Sequence, residues 1–265
     1  MQPTLDRADV VRWLTPLLRQ RTLLLPAARA QKPERKFRTQ FGGRPTALRG
    51  ERWPRCGRCH RALRFVCQVD YCHDALHQPQ PEVAFITFFY CWECHPWGKE
   101  QGPARSWCVR AYPLAAEQDA IVLRSRAAPF TQHFVRARLG LSLPDAVGFE
   151  RHCPELWAAV PGTSGSRQAW ANWDVVERAA GELQRAEDLS HPHTRNRGLA
   201  LGGYPHWVNG PDETPDCGTC GQGMELLVQL SPSPVVDAEW GDVGTLYLFM
   251  CRVHINEVDL RIQCT

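Results

Sequence analysis

Eight residues of this chain stand at spacings that suit a metal ion. Cys56 and Cys59, Cys91 and Cys94, Cys217 and Cys220, and Cys251 and His254 each form a pair separated by two residues. A single pair of this kind fits a zinc knuckle and a thiol–disulfide redox motif equally well. Repetition breaks the tie. The segment "FGGRPTALRGERWPRCGRCHRALRFVCQVD" aligns with "LGGYPHWVNGPDETPDCGTCGQGMELLVQL", so that Gly42, Gly43 and Pro45 match Gly202, Gly203 and Pro205. Pro54, Cys56, Gly57, Cys59 and Gln68 then match Pro215, Cys217, Gly218, Cys220 and Gln229. Further on, "VAFITFFYCWEC" matches "GTLYLFMCRVH", pairing Phe89 with Phe249, Cys91 with Cys251 and Cys94 with His254. Exchanging cysteine for histidine removes disulfide chemistry but keeps an electron pair for a metal. The exchange makes sense for a ligand position.

The pattern predicts two four-coordinate sites. Cys56, Cys59, Cys91 and Cys94 would supply four thiolates, and Cys217, Cys220, Cys251 and His254 three thiolates and an imidazole. Two structural Zn(II) ions are the expected cofactors, because tetrahedral sulfur and nitrogen donors suit zinc and a complete set leaves no position for water or substrate. Four thiolates also accept iron or an iron–sulfur cluster. The histidine in the second set makes zinc the simpler account of both. Twelve cysteines without an export signal point away from a disulfide framework.

The remaining candidates read as structural. Cys67 aligns with Val228 and is expected to be a small buried apolar residue. Cys72, beside His73 and His77 in "YCHDALH", has no counterpart in the second copy and is assigned to a local turn; Cys108, Cys153 and Cys264 are assigned to packing or surface. His191 and His193 flank Pro192, which favours a rigid extended turn over a catalytic pair. No catalytic residue is assigned: there is no nucleophile elbow, no HExxH helix and no paired-carboxylate site. Both GG pairs run into Arg-Pro or Tyr-Pro instead of a helix, so neither is a phosphate loop.

Alternating apolar residues follow each cysteine pair, Leu63, Phe65, Cys67 and Val69 in the first copy and Met224, Leu226, Val228 and Leu230 in the second. Both predict strands half buried on one side. Gly57 and Gly218 are expected to turn the knuckle backbone around the metal. "EWGDVG" predicts a tight connection, with Asp242 a turn residue, and "VDLRIQC" a late strand. Ala169, Trp173, Val176, Ala180 and Leu183 make an apolar stripe that predicts a helix near 167–188. Val10, Val11, Leu14, Leu17 and Leu18 recur at helical spacing around an intrusive Pro16, which predicts a terminal helix packed on the domain.

These elements divide the chain into a basic, partly helical segment over 1–40, a first knuckle unit over 41–125, an inserted region over 126–200 and a second knuckle unit over 201–265. The expected fold is one compact α+β body, mainly β, internally duplicated and pseudo-symmetric, with two zinc-knuckle units and a helical insertion. The 21 prolines and 20 glycines argue against a long helical bundle.

The net charge of +3 hides an uneven distribution. Residues 1–70 contain 16 Lys or Arg against 5 Asp or Glu, and the rest 15 against 23. The Arg-rich stretch over 29–64 leaves nucleic-acid binding open, beside a solvated face or pairing between the two sections. The first 28 residues are broken by charges, so neither a signal peptide nor a transmembrane segment is expected, and the protein is read as cytoplasmic.

The GGxP segment, the knuckle leading into "LVQL", and "WGDVG" followed by "LYLFMC" resemble the bacterial YwqG-like proteins, a family of unknown function. The resemblance covers residues 41–110 and 201–265 and implies a cytoplasmic, mainly β protein with no established reaction. Many YwqG-like members lack the full cysteine set, so the metal reading rests on this chain's own repeat. The halves are also distantly similar to the programmed cell death protein two family of ribosome biogenesis, in which knuckle segments precede an "LLxQ"-like strand. That similarity implies a chaperone for a ribosomal protein, with the same eight Cys and His residues matching its knuckle pattern. The expected function is a zinc-stabilised interaction module or adaptor with a protein partner. The alternatives are a ribosomal-protein chaperone, a small-molecule enzyme with a groove between the repeats, and a nucleic-acid-binding protein.

Overall fold

Among the described residues, ten of the twelve strands join one antiparallel sheet, and the other two form a separate ribbon. The computed structural model describes residues 5–30, 34–72, 80–97, 100, 104–124, 129–160, 167–185 and 198–265. At the centre, β1 (Arg19–Ala27) and β8 (His133–Ser142) pair from Arg19 opposite Ser142 to Ala27 opposite Phe134. A short strand flanks each: β2 (Gln40–Phe41) on β8 and β9 (Ala200–Gly202) on β1. Beyond them lie two three-stranded arms. The first is β4 (Arg64–Asp70), β5 (Phe85–Tyr90) and β6 (Trp107–Tyr112). The second is β10 (Glu225–Leu230), β11 (Thr245–Met250) and β12 (Val258–Gln263). A separate ribbon pairs β3 (Thr46–Leu48) with β7 (Ala120–Val122).

The two central strands lie in regions that the sequence assigns to the lead-in and to the insertion. Pro26 is tolerated in β1 because β9 pairs only with Arg21, Thr22 and Leu23, so the missing N–H falls beyond that ladder. The GG turns that follow β2 and β9 are left-handed at Gly42, Gly43, Gly202 and Gly203, with φ from 58° to 70°.

Alternation predicts one buried face per strand. The structure buries both faces of β5 and β11. The reason is that the sheet curves until the arms share a core, in which Val66, Ile86, Phe88 and Tyr90 meet Leu227, Leu246, Leu248, Met250 and Leu260. Tyr71 Oη donates to Leu227 O at 3.2 Å, and Trp240 meets the Tyr90 ring edge-on at 6.5 Å. The opposite faces carry Phe65 and Phe89 in one arm and Leu226, Tyr247 and Phe249 in the other, each set under a cysteine cluster.

A helical layer has its own core. α1 (Arg7–Leu14) is capped by Asp6, whose carboxylate accepts from Ala8 N at 2.7 Å. A 3₁₀ turn over Thr15–Leu17, with Pro16 at its start, ends the helical run. Val10 and Leu14 of α1 pack with residues of α2 (Phe149–His152), α3 (Pro154–Ala159) and α4 (Arg167–Arg185). On α4, Val176 and Ala179 are buried apolar residues, with Trp173, Ala180 and Leu183 packed beside them. Ala169's side chain and residues 186–188 of the expected helix lie outside the described residues. Among the described residues, no helix is long and apolar enough to cross a membrane.

Candidate metal centres

Antiparallel pairing explains how cysteines more than thirty positions apart meet. Arg64 stands opposite Tyr90, so the start of β4 and the end of β5 share one end of the hairpin, as do Glu225 and Met250 in β10 and β11. The knuckle before each hairpin is closed by the same three backbone bonds. In the first arm these are Cys56 N to Arg61 O at 2.8 Å, His60 N to Cys56 O at 3.0 Å and Leu63 N to Pro54 O at 3.0 Å. In the second they are Cys217 N to Gln222 O at 2.8 Å, Gly221 N to Cys217 O at 2.9 Å and Met224 N to Pro215 O at 2.8 Å.

The turning residue differs from expectation. Gly57 and Gly218 do not adopt a positive φ; the residue after each second cysteine does, at 59° for His60 and 68° for Gly221. The chain reverses after both cysteines of the pair, and Gly57 instead donates its N–H to Arg105 O at 2.8 Å.

All eight candidate ligands come together as two sets of four, and within each set the donor atoms lie within 4.8 Å of one another. Cys56 Sγ is 3.6 Å from Cys94 Sγ, and Cys59 Sγ is 3.6 Å from Cys91 Sγ. In the second set Cys220 Sγ is 3.7 Å from Cys251 Sγ, while His254 Nδ1 lies 3.6 Å from Cys217 Sγ and 3.5 Å from Cys251 Sγ. A disulfide needs sulfurs about 2.05 Å apart, and all twelve cysteines are free thiols. A tetrahedral ion with metal–sulfur bonds near 2.3 Å and metal–nitrogen bonds near 2.05 Å places its donors about 3.8 Å (S to S) and about 3.6 Å (S to N) apart. The measured separations fit edges of that tetrahedron, and either set could hold one metal ion.

The backbone prepares the sulfurs for negative charge. Arg58 N and Cys59 N both point at Cys56 Sγ at 3.4 Å, and Thr219 N and Val253 N approach Cys217 Sγ and Cys251 Sγ at the same distance. The Arg61 N–H, helped by the neighbouring thiols, outweighs desolvation and brings Cys59 down to about 7. Burial opposes ionisation of Cys217, but the N–H groups of Cys220 and Thr219 prevail and lower it to about 6. Burial pushes Cys91 up to about 12. Each set therefore has one thiol with its acidity shifted towards the thiolate, whereas a thiol held up by burial, such as Cys91, must release its proton when a metal binds.

Sequence reasoning missed the brace of the first set. Glu100 is buried and accepts from Ser106 N at 2.6 Å and from Ser106 Oγ at 2.8 and 2.7 Å, while Arg58 pairs with it at 2.9 Å. Arg105 O and Ser106 O in turn receive the N–H groups of Gly57 and Cys91, so one segment supports both cysteine pairs. No local signal marks a lone glutamate in this role. Glu257 serves the second set from its backbone, accepting Cys251 N at 2.9 Å, and from its carboxylate, accepting Thr219 Oγ1 at 3.1 Å.

Among the described residues, the other sequence candidates stay apart from the two centres, with one exception. Cys67 is buried in the shared core, Cys153 lies among the helices, Cys72 is exposed and Cys264 is half-buried. Cys108 is half-buried and packs beside the first set. His73, His77, His191 and His193 lie outside the described residues. The aligned glutamines gain a role: Gln68 Oε1 accepts Thr46 N and Gln229 Oε1 accepts His206 N, both at 2.9 Å, fixing the segment after each GG turn.

Among known proteins, the chain is 34% identical over 89 residues to the uncharacterized protein YpfL of Salmonella typhimurium (strain LT2). That match covers 29% of this chain and 20% of the relative's length. The family profile described as "Domain of unknown function (DUF1963)" matches residues 39–261. Spanning both cysteine clusters and most of the sheet, that match shows that the chain belongs to the DUF1963 family, in keeping with the resemblance to YwqG-like proteins.

Proposed function

We propose that this protein is a cytoplasmic, zinc-stabilised interaction scaffold, built by internal duplication of a knuckle-and-hairpin unit, that presents its knuckle loops to a protein partner. The observation that carries the reading is the completeness of the two donor sets, each with four donor atoms within 4.8 Å of one another. Such a set leaves no position for water or substrate, which is the mark of structural and not catalytic zinc. Zinc bound there contributes directly to folding and holds loops in shape without a large local core.

Duplication is supported by features that recur at the same displacement. The β4–β5 ladder shifts register between Phe65 and Cys67, and the β10–β11 ladder between Leu226 and Val228. Isolated bridges join Arg55 to Ala62 and Asp216 to Gly223. A protein partner is supported by apolar side chains at the metal loops: Val253, between Cys251 and His254, is 69% exposed, and Trp97, three residues past Cys94, is 52% exposed. Arg58 and Arg61 on the first knuckle are paired with Glu100 and Glu93, which leaves less free positive charge for nucleic acid than the residue count implies.

The test is recovery of partners from native cells by the zinc-loaded chain and by a Val253→Asp, Trp97→Ala variant. Reproducible partners captured by the native chain and lost by the variant are expected. Recovery of none, together with substrate turnover by the purified protein, would overturn the proposal.

A further inference from the structure

The geometry points to a binding site for a small organic anion beside the first arm, in a cleft that uses none of the eight candidate metal ligands and is independent of the scaffold role. The cleft has a volume of about 530 Å³ and is lined by Arg38, Gly43, Arg44, Val122, Phe130 and Gln132, among others. That volume lies within the roughly 300–1,000 Å³ of small-molecule sites. Among the described residues, two guanidiniums and no carboxylate line it.

A buried glutamine builds the site. Gln40 is fully buried, and its Oε1 accepts from Arg38 Nε at 3.0 Å and from Gln132 Nε2 at 3.0 Å. Its Nε2 donates to Gly42 O at 3.0 Å and to Arg44 O at 3.2 Å. One side chain therefore ties together the three segments that carry the polar lining. Among the described residues, the Arg44 guanidinium and the Nη groups of Arg38 have no hydrogen-bond or ion-pair partner. Two unneutralised guanidiniums on one cleft repel each other, and a carboxylate or phosphate with paired oxygens relieves that repulsion through charge-assisted bonds.

The apolar part of the lining asks for an organic body behind the anionic head. Val122 is 56% exposed at the cleft, and the Phe130 ring is held by the Arg64 guanidinium at 3.9 Å and by the Trp92 ring at 5.1 Å. Gly43, with φ at 70°, keeps the lining open, since a Cβ there would stand 2.9 Å from Gln132 Cβ. The second arm lacks these polar residues. Its counterpart of Gln40 is Ala200, and its counterpart of Arg44 is Tyr204, whose ring is covered by Arg19 at 4.1 Å.

Calorimetric titration of the full-length, metal-loaded chain at fixed ionic strength tests the assignment, with phenyl phosphate, benzoate, inorganic phosphate and phenol as probes. Saturable binding of phenyl phosphate or benzoate at one site per chain is expected, weaker binding of inorganic phosphate, and none of phenol. The tighter of the first two identifies the head group. Arg44→Ala and Val122→Glu should each weaken binding about tenfold or more, by loss of a charge-assisted donor or by a repelling carboxylate. Both side chains are exposed, so unfolding temperatures should match the native chain and exclude misfolding as the cause. Absence of saturable binding by all three anions at millimolar concentration, or binding unchanged in both variants, overturns the assignment.

Discussion

Cys94 and His254 occupy the same corner of the two donor sets. Cys94 Sγ stands 3.6 Å from Cys56 Sγ, and His254 Nδ1 stands 3.6 Å from Cys217 Sγ, the cysteine that matches Cys56. A sulfur in one arm and a ring nitrogen in the other thus meet the same neighbour at the same separation. The shared requirement is an electron pair aimed at a common centre, which both side chains supply.

Metal content should follow from that arrangement. Freshly purified protein is expected to carry close to two zinc ions per chain by elemental analysis, as two four-donor sets require. Cys59→Ser should lose the first ion and keep the second, and Cys220→Ser the reverse, since a neutral hydroxyl is a poor replacement for a thiolate. Unchanged metal content in both variants would refute the assignment.

His254→Cys is the sharper exchange. The variant should still bind one metal in the second arm, because the first arm holds a donor set of four thiolates. Cobalt substitution reads the outcome directly: sulfur-to-metal charge-transfer absorption should rise relative to the native chain as the imidazole is replaced. Loss of the second metal from this variant would show that the corner needs the histidine.

Acidity supplies a third test, on protein stripped of metal. Cys217 is held at about 6, below the usual thiol value of 9.0, and Cys59 at about 7. A depressed folded-state value stabilises the fold fully above the unfolded value, and that contribution is lost as pH falls through the folded value. The urea midpoint of the metal-free chain should therefore fall from pH 8 towards pH 6, a window below the unfolded thiol value in which Cys91, pushed up to about 12 by burial, keeps its proton. A midpoint that is flat or rising on acidification across that window would contradict these thiol environments.

Glu100→Gln should loosen the first centre alone. The substitution removes the negative charge that Arg58 and Ser106 address, and hydrogen bonds to charged groups are each worth about 1.5–3 kcal/mol. Faster zinc transfer to a chelator is expected from the Cys56 set, with release from the Cys217 set unchanged. Equal acceleration at both sites would remove Glu100 from its bracing role.

The two donor clusters were legible because their pattern is local and occurs twice: the gap between Cys56 and Cys59 and the match of Cys94 to His254 can be read without knowing the fold. The strands after each knuckle were legible for the same reason, through alternation at Leu63, Phe65 and Met224, Leu226. Tertiary structure alone decided what depends on partners distant in the chain. Leu23 and Leu24 become part of a central strand because His133–Ser142 pairs along them. Phe88 and Leu248 both lie in the core shared by the two arms, although alternation predicts only one buried face for each strand. Glu100 and Gln40 gain their roles only when separate segments converge on one carboxylate and one amide. Spacing records which atoms a short stretch can offer, whereas strand pairing and burial are set by whole-chain packing, which no short stretch encodes.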